Sequence, residues 1–207
     1  MIKVVHSYLF SSMKVAIKKI ITIVALLAIC TGASGGTSMD KRFYDFEKGT
    51  QWVFDAEFNG DKRTIVFTVA GRDNNRTHFE YDIYNPPDPG ATASMDEIWY
   101  VQDGYVIWGD YDLQKVTPWW RVYKLGSRKG DTWKGPSEKG DATHMGKTEV
   151  TVPAGKYEDV VHIRLTDEDG KLHNFYYAPK VGLVRWETTS SRGKAVLVLR
   201  KFIGRSQ

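Results

Sequence analysis

From residue 51 onward the chain alternates apolar and polar residues with a period of two, and short turn signals cut the alternation into segments. A period of two puts successive side chains on opposite faces of an extended strand, so the pattern commits the chain to sheet rather than helix. The first segment is the clearest. Trp52, Phe54, Ala56 and Phe58 alternate with Val53, Asp55 and Glu57, and Asn59-Gly60 follows. Asn-Gly suits a type I′ turn, in which both central residues need positive φ. A two-residue loop there sets Glu57 opposite Lys62, Phe54 opposite Ile65 and Trp52 opposite Phe67. Opposite charges then meet on one face and apolar side chains on the other, so turn chemistry and polarity demand the same register.

Phe79, Tyr81 and Ile83 mark a third strand, ended by Asn85-Pro86-Pro87-Asp88-Pro89-Gly90 because proline cannot donate to a ladder. Asp103-Gly104 closes a second tight hairpin, with Trp99 opposite Trp108, Tyr100 opposite Ile107 and Val101 opposite Val106. Both faces of this ribbon are apolar, so it is either covered on both sides or lines something. Residues 119–125 form another strand, and 126–140 read as a polar Lys/Gly loop around Trp133. The remainder is a meander through Pro153-Ala154-Gly155, Asp169-Gly170 and Ala178-Pro179. A two-residue turn at Asp169-Gly170 sets Ile163 opposite Tyr176 and His162 opposite Tyr177, which puts His162 and His173 on one face. Some eleven strands joined mainly by short turns predict an all-β fold, an antiparallel up-and-down meander curled into a barrel or half-barrel. A flat open sheet this wide would curl or split.

The amino-terminal residues follow different rules. A positive stretch from Lys14 to Lys19 precedes an apolar run from Ile20 to Ile29, and small residues follow from Thr31 to Gly36. That is the order of a signal peptide, and the run is short for a bilayer span. Residues 1–35 are therefore expected to be a signal peptide and 36–207 a single β domain, exported to the periplasm, the outer envelope or the medium. Cys30 is the only cysteine. A lipid anchor there is the less favoured reading, because bulky Ile29 stands where lipoproteins carry a small residue. The first 35 residues hold four lysines and no acid, so the mature chain keeps 25 basic against 25 acidic residues. Such a balance favours no polyanion and argues against a nucleic-acid partner. No transmembrane span is expected in the mature chain.

The segments Val152-Pro153-Ala154-Gly155-Lys156-Tyr157 and Phe175-Tyr176-Tyr177-Ala178-Pro179-Lys180-Val181-Gly182-Leu183-Val184 resemble those of the TapB-like group of exported bacterial proteins of unknown function. The shared pattern is a VPAG-aromatic turn, a strand, and then YYAP-x-VGLV, over roughly residues 146–187. The resemblance implies an extracytoplasmic antiparallel β-fold akin to the curled sheets of lipoprotein carriers. It implies no catalytic residues. Lys180 departs from the pattern, standing where a glycine is common. Read on their own, these residues are punctuation: Pro153 presets φ for a turn, and Pro179 ends a strand.

No catalytic signature stands out. The mature histidines, His78, His144, His162 and His173, lack the close pairing of a zinc site. Asp167-Glu168-Asp169-Gly170 is a turn rather than a calcium loop. Gly-x-Ser-x-Gly, phosphate loops and dinucleotide fingerprints are absent from the mature chain. No metal and no cofactor is expected. The aromatic residues Trp99, Tyr100, Trp108, Trp119 and Trp120 are the candidate binding residues, since rings on adjacent strands can hold a lipid tail or stack on sugars. The function expected is a non-enzymatic binding or envelope-assembly module with an apolar or glycan ligand or an envelope-protein partner. The alternative is a secreted hydrolase whose carboxylates assemble only in the fold. Sequencing the amino terminus of the exported protein is expected to find it between Ser34 and Thr37. A soluble chain that retains residues 13–29 would overturn the signal-peptide reading.

Overall fold

The computed structural model describes residues 46–73, 76–85, 90–112, 115–135, 140–191 and 193–204. Among them are twelve strands and no helix. They are β1 (Gln51–Phe58), β2 (Asp61–Asp73), β3 (Arg76–Tyr84), β4 (Ala91–Gln102), β5 (Tyr105–Asp112), β6 (Lys115–Lys124), β7 (Thr132–Lys134), β8 (Asp141–Val152), β9 (Gly155–Thr166), β10 (Leu172–Ala178), β11 (Gly182–Ser190) and β12 (Gly193–Ile203). All belong to one antiparallel sheet in the order β6-β5-β4-β3-β2-β1-β12-β11-β10-β9-β8-β7. The expected up-and-down meander is thus present, curled into a nearly closed barrel. Its first and last strands pair in the middle of the sheet, and its edges are two strands adjacent in sequence.

Two hairpins have the register that turn chemistry dictates. Asn59 and Gly60 take φ of 52° and 95°, Asp103 and Gly104 take 52° and 78°, and the type I′ geometry follows. Phe54 lies opposite Ile65, Glu57 opposite Lys62, Trp99 opposite Trp108 and Tyr100 opposite Ile107. The turn at Asp169-Gly170 corrects the expectation by one residue. Ile163 pairs with Phe175 and His162 with Tyr176, not with Tyr176 and Tyr177. The Asp167 amide donates to the Lys171 carbonyl at 2.9 Å, so three residues lie inside the loop and Gly170 takes the left-handed position. Asp167 enforces this longer loop, because its Oδ1 accepts from the Asp169 and Lys171 amides, both at 2.9 Å. The slip separates the two histidines. His162 faces outward with Tyr176, and His173 faces inward with Phe175 and Tyr177.

Residues 126–140 are more than a polar loop. Within them β7 pairs with residues 141–143 of β8, and the Trp133 side chain is 5% exposed. Its indole donates to the Arg121 carbonyl of β6 at 2.7 Å, and the Arg121 guanidinium reaches back to the carbonyls of Lys134 and Gly135. Side chains therefore join the two edge strands, between which no backbone ladder forms among the described residues. Lys180, the departure from the TapB-like pattern, takes φ of 65°. That is a left-handed conformation glycine adopts without strain.

Inward side chains of every long strand meet in one core, which includes Phe54, Ile65, Phe67, Phe79, Ile163, Phe175, Leu197 and Leu199. At the end of the barrel where β1 begins, Phe46, Trp52, Phe54, Phe67, Phe79, Trp99 and Leu183 enclose a cavity of only about 20 Å³. That is room for about one water. The core is filled there. Replacing Trp133 by alanine removes both the ring and the β6–β7 bond, and chemical denaturation should show a loss of roughly 3–5 kcal/mol. A loss below about 1 kcal/mol, the worth of a single hydrogen bond, would mean that this ring does not hold the seam.

Candidate functional site

The candidate aromatic residues divide between two faces. Trp99 and Trp108, 9% and 3% exposed, point into the core with ring centroids 5.5 Å apart. Trp120 lies beside them, half-buried, with its centroid 5.3 Å from that of Trp108. Tyr100 lies on the other face of β4, where burial raises its phenol above the ordinary range against the opposing charge of Arg76. Trp119 belongs to β6, but its side chain lies outside the described residues. Ile98 and Ile107, on the Tyr100 side of the ribbon, are buried as well, so the ribbon is covered on both faces.

The core changes character along the barrel. Beyond the apolar end, the inner faces of β3, β4, β10 and β11 carry hydrogen-bonding groups among the rings. Glu97 is 5% exposed, and its Oε2 accepts from the Trp108 indole at 2.7 Å. Tyr81 stacks on Phe67 at 5.1 Å. Burial and, after it, the Glu97 carboxylate push its phenol up to about 12. Across the lumen, Trp120 lies 4.9 Å from the His173 ring and 6.2 Å from that of Trp186.

His173 is the centre of this corner. It is 3% exposed, and its Nε2 stands 3.2 Å from Oδ2 of Asp167, the same carboxylate that shapes the β9–β10 loop. Burial holds the imidazole below its usual range despite the bond and charge of Asp167, so at neutral pH it is uncharged. For Asp167, burial would raise the carboxyl. The His173 bond, the Lys171 amide and nearby positive charge outweigh it and hold the carboxyl low. A neutral imidazole facing a carboxylate keeps its proton on Nε2, which leaves Nδ1 as an acceptor. Among the described residues that Nδ1 has no hydrogen-bond partner, and neither do Nε1 of Trp186 and Oγ1 of Thr188, all three atoms buried. Thr188 is directly cross-strand from His173, and Trp186 is two residues along on the same face. Each buried polar group left unmet costs roughly 1–3 kcal/mol, so three on two adjacent strands mark a place where stability is given up.

Glu97, Trp186 and Thr188 are absent from the sequence-based candidates. Glu97 has a legible signal, because it shares a strand face with Trp99 and Val101 and so points a carboxylate into an apolar stripe. His173 and Asp167 become legible only with the corrected register. Among the described residues, no three His, Cys, Asp or Glu side chains converge as metal ligands.

No family model matches the chain, and no curated protein matches it. Solved structures do. A protein from Bacteroides fragilis, described as exported and of YmcC-like fold, superposes with a TM-score of 0.52 over 78% of this chain and 98% of its own, at 12% identity. A protein from Parabacteroides distasonis described as a lipoprotein gives 0.49 over 76% and 97%, at 16% identity. The first establishes a shared fold.

The depressed imidazole makes stability depend on pH. The unfolded chain takes up the His173 proton near pH 6.5, while the folded chain resists it. The contribution is therefore complete above about pH 6.5 and declines as pH falls toward the folded value. Melting temperatures measured from pH 7.5 to 5 should fall for the wild type and fall less for His173→Gln. Parallel curves would show that this group does not carry the dependence. Asp167 titrates lower and leaves this window undisturbed.

Proposed function

We propose that the protein works outside the cytoplasm as a non-enzymatic binding module, and that its ligand site is the polar corner of the barrel around Trp120 and His173. One observation carries the reading. The core is packed to a cavity of about 20 Å³ at one end, yet elsewhere it holds three buried hydrogen-bonding groups on two adjacent strands, without partners among the described residues, beside a half-buried tryptophan. Binding sites place a few convergent polar groups on a mostly apolar wall, and this corner has that composition. The candidate aromatics contribute unequally. Trp120 would meet the ligand, Trp108 would hold Glu97 behind it, and Trp99 and Tyr100 would serve packing. Export is supported by the charged, apolar and small-residue order of residues 14–36 and by the TapB-like motifs, and the Bacteroides fragilis protein of like fold is itself described as exported. Cleavage in the small-residue stretch is preferred over a lipid anchor at Cys30.

A second reading has its own support. Asp167, His173 and Thr188 lie in sequence from carboxylate to imidazole to hydroxyl, an order that acyl-transfer enzymes use. It competes poorly, because the hydroxyl and the imidazole Nδ1 are not bonded to one another.

Tryptophan fluorescence titrations with a fatty acid, a lysophospholipid and short glycans decide between these readings. The wild type should saturate with one class without consuming it, and Trp120→Ala should weaken that binding tenfold or more. Silence toward all three classes would overturn the binding reading. Turnover abolished by His173→Gln would transfer the corner to the hydrolase.

A further inference from the structure

We infer that the corner recognises a hydroxyl-bearing ring, so that the ligand class is a sugar rather than a lipid tail; the inference rests on the binding reading above. It follows from the three unpartnered atoms. His173 Nδ1 is an acceptor, because Asp167 takes the proton side of the imidazole. Trp186 Nε1 can only donate, and Thr188 Oγ1 does either. They belong to two adjacent strands, with Thr188 cross-strand from His173 and the Trp186 ring 6.0 Å from the imidazole at 16°.

Complementarity narrows the chemistry. An alkyl chain satisfies none of the three. A carboxylate accepts from Trp186 but offers nothing to His173, and its charge would approach Asp167 and Glu97. An ammonium donates to His173 but cannot accept from Trp186. Hydroxyls do both, donating to Nδ1 and accepting from the indole, and a neighbouring hydroxyl on the same ring suits Thr188. A sugar also presents a flat face of C–H groups, and the exposed part of the half-buried Trp120 indole, 4.9 Å from His173, is the surface for it.

The test uses the exported form of the chain with cellobiose, maltose and N,N′-diacetylchitobiose as glycans, and octanoate and lysophosphatidylcholine as lipids. Affinity is read by calorimetry and thermal stability by melting without ligand. Thr188→Val keeps the side-chain shape and deletes the unpartnered hydroxyl, and Trp186→Phe deletes the unpartnered N–H together with part of the ring system. Each should cut disaccharide affinity tenfold or more, and for Thr188→Val the melting temperature should hold or rise, since a buried polar group without a partner contributes nothing to lose. Unchanged affinity in both variants overturns the assignment. Binding of the lipids without the disaccharides also overturns it and leaves the binding reading standing. If nothing binds, both fall.

Discussion

The ladder between β1 and β12 is the pairing on which the rest of the sheet depends. It joins Phe54 to Leu199 and Phe58 to Ala195, far apart in sequence, and without it the chain would be two open six-stranded meanders. The turn that closes the first hairpin also ties this ladder down. The Asn59 amide donates to the Lys194 carbonyl at 3.0 Å, and the Asn59 side chain accepts from the Lys194 amide at 2.9 Å. Gly193 has no side chain because a Cβ there would run into the Asn59 amide group. One asparagine thus supplies positive φ to a local turn and locks the most distant pair of strands, a contact that must repay a large loop-closure entropy.

With the two ends joined, right-handed twist curls the sheet until its remaining edges meet. The closure is not another ladder. β7 is only three residues long, and the Trp133 indole and the Arg121 guanidinium make the bond between edges. A short edge strand bonded through side chains leaves little backbone exposed for pairing with other chains. Inside, the rings take over. Trp108, Trp120, Phe175 and Trp186 all lie within 6.2 Å of one another by ring centroids. Large flat side chains fill a narrow barrel with few residues, and their polar handles add hydrogen-bonding groups to that part of the lumen.

That packing also explains the polarity gradient. At one end Phe46 closes edge-on over Trp52 at 4.7 Å, and the rings meet carbon to carbon. At the other end the same aromatic density surrounds Glu97 and His173. Glu97 is bonded to Trp108, and among the described residues His173 is bonded to Asp167 on one side only. A carboxylate and an imidazole held in a ring-lined core are destabilising unless something else uses them.

The sequence by itself determined the fold class, the up-and-down order and two hairpin registers, because Asn59-Gly60 and Asp103-Gly104 are local devices whose geometry depends on two residues. It also showed the ribbon from Ile98 to Trp108 to be apolar on both faces. It did not determine the β9–β10 register, where the Asp167 carboxylate outbids the Asp169-Gly170 pair by bonding two amides of a longer loop. That single residue of slip decides which histidine enters the core, since side chains alternate strictly across a sheet. Tertiary structure alone decided that β1 meets β12, that Trp133 is a seam rather than a loop residue, and that Glu97, His173, Trp186 and Thr188 share one corner. Those facts depend on how far the sheet curls, and curl is a property of all twelve strands together.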